Sequence, residues 1–168
     1  MMGKVLGSDI ASGFFSRGSF DLRKEGFTGK MISVSSEVFT KGLRHIKLKL
    51  AFLCNTKFLQ DYDTVIFSGD SISAVRNCPP SPAKDGTSNS SPTEERGKVC
   101  QKIYYCHTPP RYLYDLKELY LKKVPFLIRP IFLLVSWIFK RAYESDISQM
   151  DLVLTNSKNT QKRIKDFL

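Results

Sequence analysis

A strand that stops at a diproline constrains the fold more than any other feature of the sequence. Residues 99–107 are rich in β-branched and aromatic side chains, which favour a strand. Thr108-Pro109-Pro110 then ends the strand, because proline lacks the amide donor of a strand ladder. Residues 111–121 have helical composition, and Pro110 suits a first helical position. The sequence therefore predicts a strand–turn–helix unit with His107 at the end of the strand.

Shorter patterns on both sides predict further strands and helices. A weak strand is expected within residues 5–15, short strands over residues 30–35 and 151–155, and a buried strand over residues 63–69. A helix is expected over residues 43–58, with Leu43, Ile46, Leu50 and Leu53 close to one face. Another helix is expected after Asn156 and Ser157, which are natural N-cap residues.

Candidate ligand-binding residues follow several of these strands. Ligands gather at the carboxyl ends of strands in α/β folds, which favours a functional role for His107. Ser68-Gly69 also ends a strand, and that glycine either allows close approach of a ligand or forms a tight turn. Arg111 opposes the dipole of the helix predicted around it, so it is a candidate ligand for phosphate against the alternative of an exposed solubilising arginine. For Asn156 and Ser157, helix capping alone is the alternative to ligand binding.

Two stretches resemble the N-terminal domain of glycosyltransferase family 4. Tyr-Tyr-Cys-His-Thr-Pro-Pro-Arg-Tyr-Leu-Tyr-Asp, residues 104–115, is similar to the acceptor-side signature of that family. Asp-Leu-Val-Leu-Thr-Asn-Ser-Lys-Asn-Thr-Gln-Lys-Arg-Ile-Lys, residues 151–165, resembles its second signature. The two motifs occur in the family's order, and a helical stretch separates them. The resemblance is strong after Lys102 and weak before Thr64.

The resemblance implies an α/β fold with a Rossmann-like parallel sheet flanked by helices, the acceptor-binding half of a two-domain GT-B enzyme. It implies retaining transfer of a sugar from a nucleotide-sugar donor to a glycan or lipid-linked acceptor. By this resemblance His107 would line the cleft near the reacting sugar, and we expect it to be the catalytic residue. From their positions at strand ends and helix starts, we expect Ser68, Gly69, Arg111, Asn156 and Ser157 to bind the acceptor. The resemblance implies no metal and no cofactor beyond the donor substrate. The family's first strand and its donor-binding domain are not recognisable, so we expect residues 1–168 to be a partial domain that is inactive alone.

Composition restricts the partners and the compartment. The formal net charge is +10, which points to an anionic partner such as phosphate, an acidic membrane face or nucleic acid. Nucleic acid is disfavoured, because no RNP-type or helix-turn-helix pattern is present. The four cysteines form no CxxC pair and no zinc spacing, which favours a reducing cytoplasm. A non-catalytic module that binds anionic lipid or glycan remains the alternative to an enzyme.

Two further segments, an apolar run and a polar one, stand out from the rest of the sequence. Residues 124–139 are strongly apolar, but Arg129 and Pro130 interrupt the run below the length of a membrane span. A buried core helix is the first interpretation. The second is a helix on the cytoplasmic face of an anionic membrane, because lysines and arginines bracket the run. Residues 77–97 are rich in proline, serine and asparagine, which predicts a disordered surface insertion.

Overall fold

The computed structural model describes residues 7–15, 22–36, 44–81 and 98–167. Two parallel sheets organise them. Strand β1 (Ile10–Ser12) pairs with β2 (Met31–Ser33), and β3 (Thr64–Ser68), β4 (Gln101–Cys106) and β5 (Leu152–Thr155) form a second sheet in that order. The helices are α1 (Arg44–Cys54), α2 (Lys117–Lys123), α3 (Arg129–Ile147) and α4 (Lys158–Phe167). The 3₁₀ helices cover Lys57–Asp61, Gly69–Asn77 and Phe126–Ile128. The predicted Rossmann-like α/β class is confirmed.

The core lies against one face of the three-stranded sheet. Buried and more exposed positions alternate along β4, as the two-residue period of a strand requires, and this places Tyr104 and Cys106 inward. Phe67 of β3 joins them, and side chains from α1, α3 and Gly69–Asn77 complete the cluster. On the opposite face, Ile66 and Leu152 remain more than 40% exposed. The sheet therefore has one well-packed face and one open apolar face.

The inner face of α1 differs from the predicted one. Ala51 and Phe52 are buried with Leu48, whereas Ile46 is 39% exposed and Leu50 55% exposed. Leu53 is half-buried, and the side chain of Leu43 lies outside the described residues. Apolar residues occur on more than one side of this helix, so its periodicity does not select a unique inner face. Packing against Gly69–Asn77 selects it instead.

The helix predicted to start at Arg111 begins six residues later, at Lys117. Residues 111–116 form successive tight turns, in which the Leu113 amide donates to the Pro110 carbonyl at 3.0 Å and the Tyr114 amide to the Arg111 carbonyl at 3.3 Å. Leu113 is 4% exposed, so its burial holds the turns against the core. The prediction of Arg111 in a helical first turn is therefore wrong.

The predicted insertion begins later than Asn77. The Asn77 side-chain amide donates to the Leu53 carbonyl at 2.7 Å and to Thr56 Oγ1 at 2.8 Å. The Cys100 amide donates to the Pro80 carbonyl at 3.1 Å, and Ser81 is buried. Residues 77–81 are thus tied into the fold, and the remainder of the predicted insertion, residues 82–97, lies outside the described residues.

The apolar run also departs from its first interpretation. Ser136 and Tyr143 of α3 are buried, but Phe126, Leu127 and Ile131 ahead of them are 79%, 85% and 61% exposed. Within the predicted run, residues 124–139, only Ser136 is buried, so the prediction of a buried core helix is wrong for this run. The other buried residues of α3, Tyr143 and Asp146, lie beyond it. Among the described helices, none combines the length and apolarity that crossing a bilayer requires.

Candidate functional site

The carboxyl ends of β3, β4 and β5 meet at one edge of the sheet, called here the strand-end edge. Ser68 pairs in register with Tyr105, and Cys106 pairs with Thr155. His107 directly follows β4, and Asn156 directly follows β5. Parallel pairing thus brings together the predicted residues of three separate strands: Ser68, Gly69, His107, Asn156 and Ser157.

At the end of β3, the backbone turns sharply into the Gly69–Asn77 helix. Gly69 has a φ of +59°, a left-handed conformation that glycine adopts without strain, and a Cβ at this position would meet no atom within 4 Å. Ser71 Oγ accepts from the Ser68 amide and donates to the Ser68 carbonyl, both at 2.9 Å. The turn role of Gly69 is present, and the Ser68 side chain is exposed.

Thr160 connects the ends of β4 and β5, and the sequence patterns did not single it out. It is 6% exposed, and its Oγ1 lies 3.1 Å from the His107 carbonyl oxygen and 3.1 Å from Asn156 Oδ1. Its amide donates to Ser157 Oγ at 3.2 Å, which is the N-cap bond of α4. The predicted capping role of Ser157 is therefore present, and Thr160 fixes the first turn of α4 to the backbone of His107.

The His107 side chain is exposed at this edge. Its ring stands edge-on to the Tyr105 ring, with 4.7 Å between the ring centroids and an interplanar angle of 88°. The Tyr105 contact limits the ring orientations, while exposure leaves the imidazole accessible to a ligand. An imidazole in this position can accept a proton from a sugar hydroxyl or donate one to a phosphate oxygen.

Arg111 lies in a small charged cluster beyond the end of β4. Its Nε is 3.4 Å from Asp115 Oδ2, and half of its side chain is exposed. Arg163 of α4 forms an ion pair with the same carboxylate, and its Nη1 lies 3.5 Å from Thr108 Oγ1. Two guanidinium groups thus share one carboxylate, which leaves a net positive charge for an anionic ligand. Asp115 and Arg163 were not predicted as site residues, because their pairing across 48 residues has no local sequence pattern.

The neighbouring tyrosines mainly pack. The Tyr114 ring stacks on Phe167 at 4.7 Å, and burial raises the pKa of Tyr114 to about 12. Burial, and secondarily the charge of Asp70, raises the pKa of Tyr112 to about 12. These phenols stay protonated near neutral pH, so they can donate hydrogen bonds but are unsuited to act as bases. Within the described ranges, no cluster of three or more histidine, cysteine or acidic side chains could hold a metal ion.

A separate cavity lies between the two sheets. It has a volume of about 530 Å³ and is lined mainly by apolar side chains, including Ala11, Ile32 and Phe67. It reaches Ser71 beside the end of β3, but its lining includes neither His107 nor Arg111. At its rim, the Tyr62 hydroxyl donates to Asp9 Oδ2 at 2.6 Å. The cavity is large enough for a ligand, but it offers fewer polar side chains for binding or catalysis than the strand-end edge does.

Comparisons with protein-family profiles, with curated proteins and with solved structures return no match to this chain. The similarity to glycosyltransferase family 4 therefore rests on residues 104–115 and 151–165 alone. In the structure, these two stretches supply neighbouring parts of the strand-end edge, through Thr160 and the Arg163–Asp115 pair.

Proposed function

We propose that this chain is the acceptor-binding domain of a retaining, nucleotide-sugar-dependent glycosyltransferase. The supporting observation is the convergence of Ser68, His107 and Asn156-Ser157 at the carboxyl ends of three adjacent parallel strands. This edge is where α/β folds bind ligands. Hydroxyl, amide and imidazole groups together suit an acceptor that presents several hydroxyls, such as a glycan or the sugar of a lipid-linked acceptor.

We assign each side chain of the strand-end edge a role according to its functional group. His107 interacts with the acceptor hydroxyl, either removing its proton or stabilising charge beside it. Arg111 and Arg163, which share Asp115, provide positive charge for a phosphate on the acceptor. Ser68 and Asn156 offer neutral hydrogen-bonding groups. No residue is assigned to the nucleotide-sugar, which a separate donor-binding domain would hold, and neither a metal nor a cofactor is part of the proposal.

We place this function in the cytoplasm, at the inner face of a membrane. Cys54, Cys78, Cys100 and Cys106 are all free thiols in the structure, which agrees with a reducing compartment. Buried Cys100 and Cys106 have raised pKa values because burial disfavours their thiolates. Inert buried thiols of this kind are structural groups.

A specific observation favours one other candidate function, a non-catalytic module for anionic lipid or glycan. The exposed apolar residues of Phe126–Ile128 and α3 adjoin several lysines and arginines, and binding through them requires no chemistry at His107. The two candidates differ in whether a ligand engages the strand-end edge.

Histidine NMR tests the proposal directly, because the chain has only two histidines. A His107→Asn variant assigns the ring signals, which are then followed during titration with oligosaccharides, sugar phosphates and inorganic phosphate. We expect hydroxyl-rich acceptors to shift the His107 signals, and Arg111→Ala to weaken the response to phosphorylated ones selectively. Ligands that bind the chain without moving the His107 signals would favour the non-catalytic module.

Activity provides the second test. We expect the chain alone to transfer no sugar, because transfer requires both substrates held in one cleft. Joined to a donor-binding domain, it should become active, and His107→Ala should then lower the transfer rate by about a hundredfold or more. His45→Ala is the matched control and should leave transfer unchanged. Full activity of the His107→Ala enzyme would reduce His107 to a structural residue.

A further inference from the structure

The segment before α3 and the first half of that helix expose a continuous set of large apolar side chains, called here the apolar ridge. Its members are Phe126, Leu127, Ile128, Ile131, Leu134, Trp137 and Ile138, which are between 47% and 85% exposed. Scattered exposed apolar residues are ordinary on protein surfaces, but a contiguous group of this size marks an interaction surface.

Among the described residues, the buried side chains of α3 lie on its other face and towards its C-terminal end. Tyr143 is 2% exposed and packs edge-on against Tyr104, with 6.3 Å between ring centroids. Asp146 is 3% exposed and accepts from Arg76 Nε at 2.7 Å. Among the earlier residues of α3, Ser136 is buried on the same face. These contacts fix the direction of the helix and leave the ridge turned towards solvent.

Basic side chains border the ridge at both ends. Lys122 and Lys123 end α2 just before it and are exposed, and Arg129 lies within it. The Arg141 guanidinium lies 5.9 Å from the centre of the Trp137 ring. Lys140 is partly neutralised by Glu144, with Nζ 3.7 Å from Oε1. The border therefore carries net positive charge next to an aromatic and aliphatic surface.

We infer that the apolar ridge docks this protein on an anionic lipid bilayer, with Phe126 and Leu127 at the deepest point. Apolar side chains inserted at the interface and cations held at the phosphates are the two elements of peripheral membrane binding. A protein partner fits less well, because lysine is depleted in protein interfaces while Lys122 and Lys123 flank this surface. The docking itself stands independently of glycosyl transfer. Only its consequence, that the strand-end edge meets membrane-borne acceptors, rests on the proposed function.

Trp137 reports on this inference without any label, since it is the only tryptophan in the chain. It is 57% exposed, so its emission should shift to the blue when the ridge enters lipid. Vesicles of phosphatidylcholine with phosphatidylserine should produce this shift, and brominated lipid should quench the emission. Phosphatidylcholine alone, or high salt, should give much weaker binding, because the cationic contribution is then absent or screened.

Matched variants separate the apolar and electrostatic contributions. Lys122→Ala with Lys123→Ala should weaken binding to anionic vesicles by about tenfold or more. Lys162→Ala with Lys165→Ala removes the same charge from exposed positions of α4 and should have a much smaller effect. Phe126→Ser with Leu127→Ser should abolish the blue shift, whereas Leu152→Thr on the open face of the sheet should retain it. Circular dichroism of each variant confirms that it is folded.

Three outcomes would overturn the inference. The first is no binding to anionic vesicles at low salt. The second is binding with Trp137 still fully accessible to acrylamide, which would place the contact elsewhere. The third is a blue-shifted Trp137 without lipid, together with a doubled mass in solution, which would show that a second copy covers the ridge. The histidine titration with soluble acceptors is independent of all three, so failure of docking is distinguishable from failure of the proposed function.

Discussion

Arg76 donates from Nε to Asp146 Oδ1 at 2.7 Å and so ties the Gly69–Asn77 helix to α3 across 70 residues of sequence. The carboxylate side chain is only 5% exposed, whereas the arginine side chain is 42% exposed. The pair joins the segment that follows β3 to the helix that carries the apolar ridge. It therefore fixes the C-terminal part of α3 against the segment that follows β3.

The first prediction concerns the loss of this buried carboxylate. Asp146→Ala should destabilise the protein by about 2 kcal/mol, because it leaves a void and removes the partner of Arg76. Chemical denaturation monitored by circular dichroism measures the change. Ser145→Ala, an exposed neighbour on the same helix, is the control and should stay within about 0.5 kcal/mol of the wild type.

The second prediction concerns the pH dependence of the same group. Burial raises the pKa of Asp146 above its ordinary value of 3.8, although Arg76 opposes the shift. The native state therefore binds this proton more tightly than the unfolded chain does. The resulting stabilisation is complete below pH 3.8 and is lost as the pH rises through the native pKa.

Asp146→Asn keeps the side chain neutral at every pH and so isolates this contribution. We expect the variant to be at least as stable as the wild type near neutral pH, with the wild type gaining relative stability as the solution is acidified. Denaturation midpoints of both proteins across this range provide the measurement. A wild type that is clearly the more stable at neutral pH would show that attraction to Arg76 outweighs the cost of burying the charge.

Local patterns predicted the strands and helices of this fold in outline, but not the Gly69–Asn77 helix, and packing decided what these elements contact. Strand β4 and its end just before His107 were predictable from β-branched residues and a diproline, both of which act on their immediate neighbours. The meeting of the carboxyl ends of β3, β4 and β5 at one edge could also be predicted, because parallel strands end on the same side of a sheet. Whether Ile46 or Leu48 of α1 faces inward depends on distant elements, and the predicted inner face was wrong.

The chemical details of the candidate site were less accessible to sequence patterns. Arg111 was predicted as a candidate cation, but its contact with Asp115 and that of Arg163 with the same carboxylate depend on how α4 packs. The sequence around Thr160 is that of an ordinary polar helix and does not indicate a role for this residue. Its role depends on the tertiary contact of its hydroxyl with the His107 carbonyl, at 3.1 Å. The exposure of the apolar ridge likewise depends on which face of α3 packs against the rest of the protein, and hydropathy alone does not determine that face.

The third prediction concerns the cysteines. Cys54 is exposed, whereas Cys100 and Cys106 are fully buried. Burial raises the pKa of Cys78 to about 12, which suppresses its reactive thiolate. We therefore expect Ellman's reagent to modify one thiol rapidly in the native protein and the others only slowly, as the protein opens. Cys54→Ser should remove the fast phase, and a second thiol of equal reactivity would contradict the described packing.

The fourth prediction concerns the hydrogen bond between Asp9, which precedes β1, and Tyr62, which follows the Lys57–Asp61 helix. The hydrogen bond to Asp9 is the main cause that raises the pKa of Tyr62 from 10.0 to about 12. The same bond is the main cause that lowers the pKa of Asp9 below 3.8. The hydrogen bond should stabilise the protein fully between pH 3.8 and pH 10.0, the ordinary pKa values of Asp9 and Tyr62. This stabilisation should be lost as the pH falls below 3.8, where Asp9 is protonated, and as it rises from 10.0 through about 12, where Tyr62 is deprotonated.

Thermal unfolding of Tyr62→Phe at several pH values measures this contribution. The difference in melting temperature from the wild type should be largest between the two limits and shrink on either side. Tyr120→Phe is the control, because that side chain is 45% exposed and far from Asp9 in the sequence. A Tyr62→Phe difference that does not vary with pH would mean that only ring packing was changed.

The last prediction joins stability to the candidate site through Thr160. Thr160→Val keeps the shape of the side chain but removes the hydroxyl that contacts the His107 carbonyl, Asn156 and Ser157. The variant should lose about 1–2 kcal/mol of stability, since the part-buried hydrogen bond to the His107 carbonyl is lost. It should also broaden the His107 ring signals, because the first turn of α4 no longer holds the backbone there. Thr64→Val, at an exposed position of β3, should change neither property. Unaltered His107 signals in a destabilised Thr160→Val protein would restrict Thr160 to a structural role in α4 and leave the strand-end edge to be positioned by the sheet alone.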